Sequence, residues 1–562
     1  MEMSWHTGFH TSVFHWLQSH PVLATFCVLI ILHNVYTWLF PDPIMRLPMP
    51  PGGRLIGGHS MIVVDARYSP TLHERCVREL GRNVRLRGLF PWETRLLPLD
   101  PVTIAHVLKN PNIYEKPRIS RRIIEGLIGC GMLAAEGHVH KRQRRVATPA
   151  FSIQNMRALV PVVFNKGEEL KDRWMGLIQE NAIKVSQDSH NPIGLRLDVC
   201  HWLSRATFDV IGLAGFDYHF NAIQNEDNEL FNAYRDMFEI AISQPWTLRR
   251  VISTYFPIFG RLFPDKATIV VRKGQEIIDR VARRLIQEKK RKIQEGEHSG
   301  KAYDGRDLLS LLLKSNAATD LPPEQRISDE DMLHNINTFM FAGTDTISLA
   351  VTWTLLLLAK HTPIQDRLRA ELCSMPRPDN LGDEAVLAHY QELAAAPLLD
   401  KVCRESLRIV PPLHSSLRVA TQDDVLPESK GGEGVHIRKG TYVHVPVEAM
   451  NLDREMWGKD GWAFVPDRWD NLPEAVKSLP GIYANTLTFS AGPRSCIGQR
   501  FSLIEMKTFL YVLITNFVFA ETDDEKVVKL NVVLTRPFVE HRFREGCQCP
   551  MIVTPYLPAE TM

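Results

Sequence analysis

The sequence predicts a mainly helical body with a minor β portion, preceded by an N-terminal transmembrane helix. Three observations carry that expectation: long stretches with helical spacing and few strand signals, a charge-free apolar run near the start, and a proline-rich break that separates the run from the rest. A chain of 562 residues with 44% hydrophobic content can support one large core or several smaller ones. Lys+Arg, 66, nearly balance Asp+Glu, 64. That balance leaves no electrostatic footprint for nucleic acid or an acidic polymer, and neither is expected as a partner.

No Asp, Glu, Lys or Arg occurs between Met3 and Pro41, and Pro21 to Phe40 is apolar apart from Thr25, His33, Asn34, Tyr36 and Thr37. Such a run makes about 30 Å of helix, enough to cross a bilayer. The missing basic leader and cleavage site favour an uncleaved anchor over a signal peptide. Basic residues first follow it at Arg46 and Arg54, which puts the body on the cytosolic side. Residues 1–41 are therefore expected to anchor, 42–54, with Pro43, Pro48, Pro50, Pro51, Gly52 and Gly53, to form a stiff hinge, and 55–562 to form the body.

Nine scattered cysteines are unlike a secreted disulfide framework and fit a reducing compartment. The only close pair, Cys547 and Cys549, reads as two surface thiols. Within the body, loops are expected at the charged run Glu288 to Asp307 and at Cys373 to Glu384, and a hairpin is expected from Val435–Ile437 and Thr441–Val445 around Arg438-Lys439-Gly440. No internal repeat is present.

Phe489-Ser490-Ala491-Gly492-Pro493-Arg494-Ser495-Cys496-Ile497-Gly498 sets one cysteine in a glycine-bounded turn before a helical run from Phe501 to Ile514. Gly492 and Gly498 can adopt backbone angles other residues avoid and let a flat group approach the main chain. Arg494 and the following helix start would favour a thiolate. An isolated cysteine is more often inert packing.

Ser328, followed by Asp329, Glu330 and Asp331, opens a proline-free stretch to Lys360, a helix of about 45–50 Å with a capping hydroxyl and an acidic first turn. Ala342-Gly343-Thr344-Asp345-Thr346 interrupts its apolar sequence. A mid-helix glycine costs roughly 1 kcal/mol against alanine, which suits close approach of another group. A helix crossing at Gly343, with threonines bonded back to carbonyls, is the structural alternative.

Glu405 and Arg408 lie at i, i+3 and can pair on one face, as surface residues often do. Pro411-Pro412 follows, and further on Phe464-Val465-Pro466-Asp467-Arg468-Trp469. His140 and Arg144, in Gly137–Arg145, stand at i, i+4, while Lys141, Arg142 and Arg145 are charges that solvent alone could hold.

Taken together and in this order, these segments resemble the cytochrome P450 family: F-x-x-G-x-R-x-C-x-G at Phe489, Gly492, Arg494, Cys496 and Gly498, A-G-x-D/E-T at Ala342–Thr346, E-x-x-R at Glu405 and Arg408, and a P-E-R-W-like segment carrying Arg468. Asp467 stands where many relatives have Glu, and His140 where many have Trp. The resemblance implies the cytochrome P450 fold around heme b (iron protoporphyrin IX), with Cys496 as axial ligand of the haem iron. Phe489 would pack beside the thiolate, and Arg494, His140 and Arg144 would hold the propionates. Thr346 and Asp345 become the catalytic pair, one hydrogen-bonding dioxygen or its water and the other helping proton supply. Glu405, Arg408 and Arg468 become a buried structural triad.

By the same resemblance the substrate pocket is expected along Ile119 to Leu133, at Phe341 and Ala342, at Leu413, His414 and the turn to Leu417, and at Val533 and Leu534. Apolar side chains beside His414 and Ser415 suit a lipophilic, lightly oxygenated molecule. Electrons would come from NADPH through a separate NADPH-cytochrome P450 reductase, since no dinucleotide or flavin fingerprint is visible. Lys141, Arg142 and Arg145 are candidates for its docking. The expected setting is the endoplasmic reticulum membrane, single-pass, with the catalytic domain facing the cytosol. The expected reaction is insertion of one oxygen atom of O2 into a lipophile, with fungal terpenoid secondary metabolism the nearest analogy. Two other readings stay open: a haem-thiolate isomerase or dehydratase working without reductase, and a non-catalytic membrane-tethered haem- or lipid-binding protein.

Overall fold

The computed structural model describes residues 42–557 except 55–56, 60–61, 64, 89–92, 186–193, 244–248, 250–256, 299–304, 319–321 and 379–381, together with Thr25, Val28, Leu32 and Val35. Those four positions are helical, and Val28, Leu32 and Val35 are exposed. The rest of the expected anchor lies outside the described residues. The segment expected to hinge is docked on the body: Ile44 is buried, and Arg85 donates from its backbone N–H to the Pro48 carbonyl and from Nε to the Leu47 carbonyl, both at 2.9 Å.

Thirteen helices of nine residues or more are described: α1 (Pro101–Lys109), α2 (Arg118–Ile128), α3 (Gly137–Ala147), α4 (Val160–Val185), α5 (Val199–Phe216), α6 (Glu229–Ser243), α7 (Lys266–His298), α8 (Leu308–Ala317), α9 (Asp329–Lys360), α10 (Thr362–Cys373), α11 (Asp383–Ala395), α12 (Pro397–Ile409) and α13 (Gln499–Asn516). The β portion is small. β1 (Asn83–Arg87), β2 (Thr94–Pro98), β3 (Tyr114–Glu115), β5 (Ser416–Ala420) and β8 (Tyr442–Val445) form a sheet in the order β1-β2-β8-β5-β3, with β2 and β8 parallel. β4 (Leu195–Asp198), β9 (Phe517–Glu521) and β12 (Pro550–Pro555) make a second sheet; β6 (Asp424–Leu426) pairs with β7 (Val435–Ile437), and β10 (Val527–Asn531) with β11 (Thr535–Val539).

The start of α9 follows its sequence. Ser328 Oγ accepts the Asp331 N–H at 3.0 Å, and the Asp331 carboxylate accepts the Ser328 N–H at 3.2 Å, so two orphan donors are satisfied reciprocally. Downstream, Leu333, Ile336, Leu349, Val351, Leu355 and Leu356 are buried, each contributing roughly 1.5–3 kcal/mol relative to exposure. Among the described residues α9 is the one helix long and apolar enough to cross a membrane, and it is a buried core helix packed on α5, α7, α12 and α13.

Three expectations are corrected. The run from Glu288 continues α7 as far as His298, because its charges pair along the helix, Lys292 with Glu288 at 3.3 Å and Arg291 with Glu295 at 2.7 Å. Val435–Ile437 and Tyr442–Val445 do not pair with each other: at Gly440, φ +93°, the backbone N–H bonds the Ala420 carbonyl and turns the chain into the larger sheet, while β7 pairs with β6. Cys547 and Cys549 are not two surface thiols, since Cys549 is buried and Cys547 half-buried.

Candidate active site

The loop before α13 is fixed by its own backbone. The Cys496 N–H bonds the Phe489 carbonyl at 3.0 Å, and the Ser495 N–H bonds the Gly492 carbonyl at 3.0 Å. Gly492 takes φ +68°, and a Cβ there would collide with the Leu108 carbonyl at the end of α1, so this glycine is required by packing. Gly498 adopts an ordinary φ of −86°; a Cβ there would meet nothing within 4 Å, which leaves room beside the main chain. The Cys496 side chain, surrounded by protein, is accessible through a cavity of about 1300 Å³ that it lines. Burial pushes its thiol up, against the opposing pull of the Gly498 N–H and the Arg144 guanidinium. The cation acting on the sulfur is thus Arg144, whose Nη1 donates to the Ser495 carbonyl at 2.9 Å. Arg494, expected in that role, turns away to the Ala135 carbonyl, at 2.8 Å, and to Glu136.

Ala342 and Thr346 of α9 line the same cavity, and Thr346 Oγ1 donates to the Ala342 carbonyl at 2.6 Å. Gly343 faces Ile211 of α5, whose Cδ1 would lie 2.8 Å from an added Cβ, so the glycine eases a helix crossing. Asp345 does not line the cavity. Its carboxylate accepts from Tyr234 Oη at 3.1 Å and from Arg536 Nη2 at 2.5 Å. Arg536 does reach the cavity, and its buried Nε has no protein acceptor. The charge of Asp345 offsets burial and raises the Arg536 guanidinium, whereas burial and Asp345 together raise the Tyr234 phenol well above its ordinary value. Neither Arg536 nor Tyr234 could be tied to Asp345 from the sequence, because no local pattern links α6, α9 and β11.

The predicted pocket residues Phe341, Ala342, Leu413, His414, Val533 and Leu534 all line this cavity, as do nine of the fifteen residues of Ile119–Leu133. His414 is buried and held neutral, burial depressing its imidazole to about 4. A basic group closes one end: Lys116, Arg418 and Arg494 line the cavity and share Glu136, which accepts from the Lys116 ammonium at 3.1 Å and from Arg494. Burial, with Arg418 beside it, lowers Lys116 to about 8, and burial lowers Arg418 to about 10. His140 is buried without lining the cavity; burial and then Arg494, Lys116 and Arg144 depress it to about 3.

These residues fit a haem. Glu136, with Glu115 further off, faces Lys116, Arg418 and Arg494, with Arg144 beside them, which leaves an excess of positive charge that propionates would offset. A sulfur whose thiolate is disfavoured by burial is suited to a metal cation, and Gly498 leaves space for a flat group beside it.

Below the cavity, Glu405 is fully buried between Arg408, at 0% exposure, and Arg468, at 9%. Its Oε1 accepts from Arg408 Nη2 at 2.8 Å and from Val465 N and Arg468 Nε at 3.0 Å, and its Oε2 from Arg408 Nε at 2.9 Å and Trp469 Nε1 at 3.2 Å. Asp467 lies outside this group and pairs with Arg367 in an exposed bidentate contact. Of the three charges considered for docking, Arg142 is tied to Asp331 at 3.0 Å, whereas Lys141 and Arg145 are exposed.

A family model described as Cytochrome P450 matches residues 81–540. Cytochrome P450 monooxygenase 205 of Postia placenta is 34% identical over 92% of this chain and 93% of its own length. Cytochrome P450 monooxygenase claU of Ampulloclitocybe clavipes is 30% identical over 93% and 96%. Ganoderic acid synthetase CYP5150L8 of Ganoderma lucidum is 30% identical over 89% and 92%.

Proposed function

Because this chain belongs to the cytochrome P450 family and is a monooxygenase of it, we propose that it inserts one oxygen atom of O2 into a lipophilic, lightly oxygenated molecule, a terpenoid of secondary metabolism being the favoured class. Electrons would arrive from NADPH through a separate reductase, with Lys141 and Arg145 as candidate docking charges. The chain would be held at the endoplasmic reticulum membrane by residues 1–41, the body facing the cytosol. The observation that carries the reading is the single apolar cavity shared by the Cys496 sulfur, the Thr346 hydroxyl and Arg536.

Cys496 would ligate the haem iron, and Lys116, Arg418 and Arg494 would hold its propionates. When bound, the haem would supply the reductive activation of dioxygen. The chain's own residues do the rest. Thr346 keeps a hydroxyl proton at the cavity wall, bonded to Ala342 until a better acceptor arrives. Asp345 is engaged by Tyr234 and Arg536, so proton supply through it requires one of them to release it. Phe341, Leu413, Val533 and Leu534 exclude water and bind the apolar body of the substrate. Arg536, whose charge Asp345 balances, lines the cavity and is suited to a neutral oxygen acceptor such as a hydroxyl or ketone. The terpenoid reading leans on the ganoderic acid synthetase relative.

The test is purified holoenzyme with a reductase, NADPH and a panel of terpenoids. Substrate-dependent consumption of NADPH and O2 with a product heavier by one oxygen is expected. Turnover without reductase would favour an isomerase or dehydratase. In Cys496→Ser the reduced carbon-monoxide complex is expected to lose the thiolate-type absorption band; its retention would remove Cys496 as ligand.

A further inference from the structure

Away from the cavity wall, the second residue of α5 meets the C-terminal segment. Cys200 Sγ and Cys547 Sγ lie 3.5 Å apart, 347 positions apart in sequence, with Cys200 buried and Cys547 half-buried. The surrounding backbone holds the two segments together: the Val199 N–H bonds the Cys549 carbonyl at 3.0 Å, the Cys549 N–H bonds Asp198 Oδ1 at 2.9 Å, and the Gln548 N–H bonds the Pro537 carbonyl of β11 at 3.1 Å. Two thiols held 3.5 Å apart by these contacts are placed to react with each other.

We propose that Cys200 and Cys547 form a peroxide-driven intramolecular disulfide, a modification site that clamps the segment after β11 onto the start of α5. The more accessible Cys547 reacts first: its sulfur attacks one oxygen of hydrogen peroxide, the O–O bond breaks, and a sulfenic acid and one water result. Cys200 Sγ then displaces the hydroxyl, forming the Sγ–Sγ bond and releasing a second water, so two thiols and one peroxide give one disulfide and two waters. Contact with Cys547 and burial push the Cys200 thiol well up, so the buried Cys200 is the slower of the two to meet peroxide, and when it attacks the sulfenic sulfur its proton leaves with the displaced hydroxyl as water. Although neither sulfur lines the cavity, both are near enough to Arg536, which does, to act on its guanidinium electrostatically. Closing so long a loop restricts the unfolded chain strongly.

The holoenzyme is treated with hydrogen peroxide, blocked, digested with trypsin without reduction and sequenced by tandem mass spectrometry, with Cys200→Ser, Cys547→Ser and Cys549→Ser in parallel. The expected product joins the peptide Leu197–Arg205 to Glu545–Met562, with Cys547 as the bonded residue by fragment ions. It should be absent from Cys200→Ser and Cys547→Ser, present in Cys549→Ser, and reversed by dithiothreitol. The oxidised parent should also unfold at a higher temperature than the reduced one, a shift absent from Cys547→Ser. A link to Cys549, a sulfenic acid at Cys547 that never resolves, or intact Cys200 and Cys547 at a peroxide dose that oxidises the exposed Cys373 overturns the proposal.

Discussion

Glu405 carries the sharpest stability prediction. Its carboxylate is shared by two guanidiniums taken wholly or almost wholly out of water, and it is the only side-chain anion that Arg408 bonds among the described residues. In Glu405→Ala, Arg408 keeps its bonds to the Asn451, Gly461 and Ala463 carbonyls but loses its counter-charge, while Arg468 retains Asp460 at 2.9 Å. Removing one partner of a buried pair costs about 3–5 kcal/mol. With roughly 2.1 cal/mol/K of unfolding entropy per residue, a chain of 562 residues has about 1.2 kcal/mol/K, so the midpoint should fall by about 3–4 °C. Thermal unfolding of the holoenzyme, followed by far-UV circular dichroism, reads it. Glu405→Gln should fall between parent and Ala, since an amide oxygen still accepts from the Arg468 Nε and Val465 N–H groups. A Glu405→Ala midpoint within about 1 °C of the parent would falsify the claim that this carboxylate is what stabilises the two cations.

Thr346→Ala should uncouple the reaction, with NADPH consumed per product rising by about tenfold or more while substrate binding persists; unchanged coupling removes its hydroxyl from proton supply. Gly343→Ala should destabilise through Ile211, an overpacking cost of about 1–3 kcal/mol partly offset by roughly 1 kcal/mol of helix propensity, and Ile211→Val should restore it; failure of that rescue places the strain elsewhere. Two buried carboxylates should move acid stability in opposite senses. Burial would raise Glu448, but the Lys529 ammonium and the Ser69 hydroxyl hold it at about 2, so its stabilisation is complete above its unfolded value near 4.5 and is lost as pH falls toward 2. Burial holds Glu505 well above its ordinary value with no partner at either oxygen, so it costs stability as pH rises above the unfolded value. Urea unfolding at pH 7 should therefore show Glu505→Gln equal to or more stable than the parent and Glu448→Gln less stable, and the reverse order refutes both assignments.

The elements legible in the sequence were those whose cause is local. Ser328 and Asp331 announce the start of α9 because a capping box spans four residues, and Glu405 and Arg408 announce a pair because they stand one turn apart. Ala342, with Phe341 beside it, could be placed from a local motif of α9, whereas Leu413, His414, Val533 and Leu534 were placed by the family resemblance alone, and all six line one cavity. What stayed hidden depends on distant partners. Arg418 reads as an ordinary polar residue of β5 until Lys116, Glu136 and Arg494 are brought beside it, and Arg536 acquires meaning only from Asp345, 191 positions away. Two of the three corrected readings have the same origin: charges in Glu288–His298 look like a loop until their i, i+4 pairing is seen, and β7 and β8 look like a hairpin until Ala420 captures the Gly440 N–H.

The basic end of the cavity also bears on how the body holds together. Lys116, Arg418 and Arg494 come from the segment before α2, from β5 and from the cysteine loop, so three regions distant in sequence are brought into mutual repulsion with Glu136 between them. Such a cluster is disfavoured in isolation, which is why burial and neighbouring cations depress both Lys116 and Arg418. Two added carboxylates reverse the sign: each cation gains a partner, and the repulsion that opens the three segments becomes an attraction that ties them together. A group that binds the folded chain and not the unfolded one adds its binding free energy to stability. A cofactor whose carboxylates met Lys116, Arg418 and Arg494 would therefore tie these three segments together as well as being held by them, and loss of that cofactor should lower the unfolding temperature.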